Sequence, residues 1–148
     1  MPHEQKALIN ISQVIDYILA ELPASDRATV KWPDSREPIW VLAASYRVLF
    51  ALESMLGYLL RSRAGTSEIS LEVDSSNSKY VEIVLTGLVR SVEPNGDLEK
   101  LVEAMRTEIA LGERVIGQIA RECGGAFKRQ RQTDEIERLS LRLKLARH

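Results

Sequence analysis

The chain has 148 residues, 45% hydrophobic and 28% charged, which is the length and balance of one globular domain. A single cysteine excludes a disulfide scaffold, and two histidines confined to positions 3 and 148 leave no internal imidazole for a triad or a His-based metal site. The net charge of −1 gives no general footprint for nucleic acid, although the sign is segregated: 66–111 carries −5 and 112–148 carries +4.

Residues 4–22 place Leu8, Ile11, Ile15, Ile18 and Leu22 three and four apart, which predicts a helix ended by Pro23. Ala28, Val30 and Trp32 alternate and predict a short strand closed by Pro33. Ile39–Leu42 reads as a strand or the lead into a helix. Trp32 and Trp40, on either side of the Pro33–Pro38 turn, read as core aromatics, one buried and one half-exposed. From Ala44 to Arg61, Val48, Leu52, Met55, Leu56 and Leu59 form a second helical stripe.

The period then changes from 3.6 to 2. Ile69, Leu71 and Val73, then Val81, Ile83 and Leu85, flank Ser75–Ser78 and predict a hairpin. Pro94-Asn95-Gly96 marks a loop, and Asp97 reads as an N-cap. Leu98, Leu101, Val102, Met105 and Ile109 form a third stripe. Val115, Ile116, Ile119 and Cys123 form a fourth, with Gly112 as the join and Gly124-Gly125 as the stop. Ala126–Gln132 and Ile136–Leu145 predict a closing hairpin, turning at Thr133-Asp134. Lys128, Arg129 and Arg131 within it read as a solvated strand face, or as a patch for an anion or a partner. The order predicts one α+β domain over 1–148. It is a two-layer sandwich whose mixed, mostly antiparallel sheet is covered by helices on one face.

Several strings in this order carry a resemblance. Leu111-Gly112-Glu113-Arg114-Val115-Ile116 through Cys123-Gly124-Gly125, with the hairpin after it, resembles the last helix of the ATP-binding catalytic domain of sensor histidine kinases. That domain is a member of the GHKL, or Bergerat-fold, ATPases. Tyr46–Leu56 resembles the N-box helix of the same family, and 68–87 falls where its two central strands fall. The resemblance implies a Bergerat-like fold and a place in two-component signalling.

It also implies where the sequence departs from the family. Met55 stands at the N-box asparagine that helps hold magnesium, and a thioether is a poor ligand for a hard cation. Ala51 stands at the earlier N-box asparagine. In the G1 box, Leu85 replaces the aspartate that accepts the adenine amino proton, Gly87 remains, and Val89 replaces the second glycine. Ala110 replaces the leading glycine of the phosphate loop and leaves Gly112; Val102 and Met105 stand at the aromatic box of the lid. Losing the adenine acceptor alone would cost about 1–3 kcal/mol of binding.

Met55, Leu85, Gly87 and Gly112 are therefore expected as relics of a nucleotide pocket, Met55 and Leu85 as core packing and the glycines at a turn and a helix start. Cys123 is expected as a buried, inert thiol. The expectation is a domain with no catalytic residues, no metal and no cofactor, Mg-ATP entering only if an atypical pocket persists. Its role would be regulatory, through a protein partner such as a response-regulator receiver domain, a kinase or a second copy, with no nucleic acid and no membrane. No signal peptide or membrane span is read, so the cytoplasm is the expected location. The helix over 97–109 is the first choice of contact element, provided that it is not fully packed into the core. The alternatives are an ATP-binding kinase domain with an unusual pocket, or an unrelated α+β ligand-binding domain.

Overall fold

A computed structural model describes residues 6–33, 37–89, 96–131 and 135–146, with the side chains of 100, 103, 104 and 107–110 left aside. The chain opens with a strand, β1 (Ala7–Asn10), followed directly by α1 (Ile11–Glu21). This corrects the expectation of one helix over 4–22. Leu8 keeps the helical spacing, but Asn10 ends the strand as an N-cap: its Oδ1 accepts from the backbone N–H groups of Ser12 and Ile39, both at 3.1 Å. One side chain thus starts α1 and fastens the approach to β3 (Trp40–Ala43), which pairs with β1 in a two-stranded antiparallel sheet.

After Pro23 comes a single turn, α2 (Ala24–Arg27), and then β2, which is only Val30–Lys31. Helix α3 (Ser45–Ser62) and the hairpin of β4 (Ile69–Asp74) and β5 (Tyr80–Leu88) fall where the sequence places them. Helix α4 (Asp97–Leu111) is separated from α5 (Glu113–Glu122) by Gly112, and β6 (Ala126–Arg131) and β7 (Ile136–Lys144) follow. Asp97 is the first helical residue rather than a cap; with Glu99 it puts negative charge on the first turn of α4, where the helix dipole favours it. The Pro94-Asn95 loop and the Thr133-Asp134 turn lie outside the described residues.

The five-stranded sheet has the order β2-β4-β5-β7-β6, with β2 parallel to β4 and every other pair antiparallel. Its rows run straight across the sheet. Leu71, Leu85, Leu139 and Arg129 are successive partners, as are Ile69, Gly87, Glu137 and Arg131. Ile69, Leu85, Leu139 and Leu141 on this face are essentially inaccessible and pack with Ile11, Ile15, Val48, Met55, Leu59, Ile116 and Ile119 from α1, α3 and α5. The architecture is the expected α+β sandwich. The buried side chains of the helices face the apolar side of the sheet, because period 3.6 and period 2 each present one apolar face.

Helix α4 is not fully packed into the core. Its stripe of Leu98, Leu101, Val102 and Met105 faces solvent, with Leu98 74% exposed. The helix packs against α3 and α5, and the 1% exposed Leu111 at its end reaches the core. Of the tryptophans, Trp40 is 38% exposed, in keeping with the half-exposed one expected, whereas Trp32 is half-buried against the core rather than fully buried, its indole N–H donating to Asp16 at 3.1 Å.

Candidate functional site

The structure brings some of the positions singled out in the sequence together in the core and leaves others on the solvent face of α4. Met55 on α3 and Leu85 on β5 are 0% and 1% exposed and belong to one apolar core, together with Ala51 and Val89. Gly87 lies within β5, between Ile69 of β4 and Glu137 of β7, and not in a turn as expected. A Cβ there would lie 3.6 Å from Ile69 and 3.7 Å from Leu59, in ordinary contact with the core. Gly112 is the residue before α5, as expected, and its φ of +71° explains why a glycine stands there. Val102 and Met105 are on the solvent face of α4, while the side chain of Ala110 is outside the described set.

Beside these apolar positions lies a charged cluster that the sequence did not reveal. Glu137 is fully buried. Its Oε2 accepts from the Tyr58 hydroxyl at 2.7 Å, and its Oε1 accepts from Arg129 Nη1 at 3.0 Å. Arg131 Nη2 approaches Oε2 at 3.5 Å, and Arg129 Nε lies 3.5 Å from Glu113 in the first turn of α5. Two carboxylates meet two guanidinium groups, so the cluster is neutral overall. It ties α3, α5, β6 and β7 together at the row that contains Gly87. Arg129 and Arg131 are thus partners of a buried acid, which corrects their reading as part of a solvated face; Lys128 alone of the three points to the opposite side.

The electrostatics follow from burial. Burial, then the hydrogen bond and charge of Glu137, push the Tyr58 hydroxyl up to about 12. It therefore stays protonated and donating through the neutral range. Burial works against the charge of Arg129, but the hydrogen bond and charge of Glu137 outweigh it and raise its pKa. Such a cluster holds the four elements in place. Cys123 ends α5 as its C-cap and is half-buried, less than expected; burial pushes its thiol up, away from the reactive thiolate. Among the described residues, no group of three His, Cys, Asp or Glu side chains could hold a metal ion. No helix of the described chain is long and apolar enough to cross a membrane.

The signal for Glu137 was present in the sequence. The inward phase of β7 is Leu139, Leu141 and Leu143, and counting back by two gives Glu137, not Ile136. An acid on the apolar phase of a strand requires partners, and the two arginines of the adjoining strand supply them.

By sequence, no family model matches the chain and no curated protein is similar to it. By structure the similarities are extensive. The mycobacterial sensor histidine kinase MprB superposes with a TM-score of 0.71 at 13% identity, over 97% of this chain and 99% of that one. The ATP-binding domain of PrrB from Mycobacterium tuberculosis gives 0.67 at 16% identity, over 97% and 99%. Full-length ShkA, in complex with AMPPNP, gives 0.73 at 14% identity; the match covers 99% of this chain and 32% of that much longer one. The fold is that of these histidine-kinase catalytic domains.

Proposed function

We propose that this chain is a histidine-kinase-like domain whose nucleotide pocket is degenerate, and that it works as a protein-interaction or regulatory module in two-component signalling. The carrying observation is the complete burial of Met55 and Leu85. At the positions that the family resemblance assigns to a magnesium ligand and an adenine acceptor stand a thioether and an isobutyl group, both absorbed by the core. Neither fits Mg-ATP: sulfur is a poor partner for a hard cation, and leucine accepts no hydrogen bond. The buried Glu137 cluster supports the same reading, because its charges satisfy one another rather than a ligand.

A domain without this chemistry still offers surfaces. The stripe Leu98, Leu101, Val102 and Met105 on α4 has the spacing of a helix that docks by one face, and it lies open to solvent. Its partner in this reading is a receiver domain, a kinase or a second copy, in the cytoplasm. Titrating receiver domains and kinase domains against the full chain, and measuring its own association by sedimentation, tests the assignment. Leu101→Ser with Met105→Ser should abolish the association while leaving the melting temperature nearly unchanged. Association that survives the double substitution, or none with any of these proteins, contradicts it.

The competing reading is an ATP-binding catalytic domain with an atypical pocket. ShkA, of the same fold, is in complex with AMPPNP, and Gly87 and Gly112 remain in this chain.

A further inference from the structure

The outer face of the sheet, away from the helices, carries a second polar site. Ser140 lies at its centre on β7, flanked in register by Lys128 of β6 and Val84 of β5. Arg138 and Arg142 stand two residues to either side of it on the same strand, about 7 Å away along the strand. Ser140, Lys128, Arg138 and Arg142 line a cavity of about 150 Å³ with Gln130 and Glu82.

Three observations point to an anion. First, Ser140 is only 9% exposed, yet among the described residues its hydroxyl makes no hydrogen bond, and it lines this cavity. A buried hydroxyl without a partner is uncommon and calls for a ligand or a water. Second, Lys128 and Arg142 make no ion pair among the described residues, whereas Arg138 is engaged by Glu82 at 3.3 Å. Three cations against one carboxylate leave the cavity at about +2. Third, Arg142 lies over the Tyr80 ring, 4.8 Å from its centroid, so its guanidinium is held in place beside the cavity.

We propose that this cavity binds a phosphate-class oxyanion, either free or as the terminal group of a small monoester. Ser140 donates from the floor, Lys128 and Arg142 supply charge from opposite sides, and the Gln130 amide closes the polar wall. A tetrahedral dianion uses several donors around one centre and neutralises the excess charge; a singly charged carboxylate does neither fully. The site is on the far side of the sheet from Met55, Leu85 and Glu137, so it is independent of the degenerate pocket.

The test is an NMR titration of the full chain at low ionic strength with inorganic phosphate, methyl phosphate, acetate and chloride. Saturable shifts with phosphate or methyl phosphate, confined to residues 126–130 and 138–142, support the site; methyl phosphate shows whether an ester is accepted. Lys128→Gln and Arg142→Gln are exposed changes that should each weaken binding at least tenfold, and Ser140→Ala should weaken it with the fold intact by melting. Unsaturable shifts that chloride reproduces mean charge screening alone and overturn the proposal. Acetate binding as tightly as phosphate overturns the assignment of the ligand class. Unchanged affinity in both the Lys128 and the Arg142 variants overturns the assignment of the residues.

Discussion

The hydroxyl of Tyr58 on α3 donates to the buried carboxylate of Glu137 on β7 across 2.7 Å, and so joins the helix layer to the sheet. The two residues are 79 apart in sequence. A buried ion pair is not in itself strong evidence for stability, since desolvation offsets much of its attraction. Removing one partner is different, because the remaining charge stays buried. Tyr58→Phe leaves Glu137 short of one donor and should cost about 1–3 kcal/mol. Glu137→Ala strands Arg129 and Arg131 and should cost about 3–5 kcal/mol. Denaturant midpoints measure both. In the double variant the costs should fall short of their sum, because the interaction is shared; strict additivity would show that the pair is not coupled.

The same contact predicts an alkaline transition. The Tyr58 pKa is raised from an ordinary 10.0 to about 12, by burial first and then by Glu137. Below pH 10 the hydroxyl is neutral in both folded and unfolded chains, and its contribution is complete. Between pH 10 and about 12 the unfolded chain ionises first, so stability falls as pH rises through that window. The loss is on the order of 2 kcal/mol. Ultraviolet titration of phenolate should show a tyrosine ionising at about 12 that disappears in Tyr58→Phe; an unchanged titration would mean that Tyr58 is not the raised group.

Two glycines bound α5 for different reasons and should respond differently. Gly112 has a φ of +71° and open space around its Cα, so Gly112→Ala meets backbone strain alone and should cost about 1 kcal/mol. At Gly125 an added Cβ would fall 1.6 Å from the Arg142 carbonyl oxygen of the neighbouring strand. Gly125→Ala must push β6 and β7 apart locally and should cost about 2–4 kcal/mol. Thermal unfolding of the two variants decides the order; a larger loss at Gly112 would contradict it.

Much of this fold is legible from periodicity. The β4–β5 hairpin and β7 show period 2 over uninterrupted runs, and α3 and α5 show period 3.6 with clear ends. Where sequence reading failed, a local rule met a competing one. Leu8 continues the helical spacing of α1, but the Asn10 cap cuts the helix and sends residues 7–10 into a strand. The α4 stripe lies outward, as a contact element requires, although spacing alone identifies an apolar face without saying what covers it. Gly87 reads as a turn and is in fact a strand residue in contact distance of Leu59 and Ile69. Of the site, the burial of Met55 and Leu85 was legible, since both continue apolar stripes. The Glu137 cluster was not, because its five residues come from four separate elements that only the tertiary fold brings together.

The most direct test of a degenerate pocket is calorimetric titration of the full chain with ATP and ADP, with and without magnesium, beside a thermal-shift series. With Met55 and Leu85 buried in the core, no saturable heat and no rise in melting temperature are expected at millimolar nucleotide. One-to-one binding at micromolar strength that depends on magnesium would contradict it, and would make this an ATP-binding domain with an unusual set of contacts.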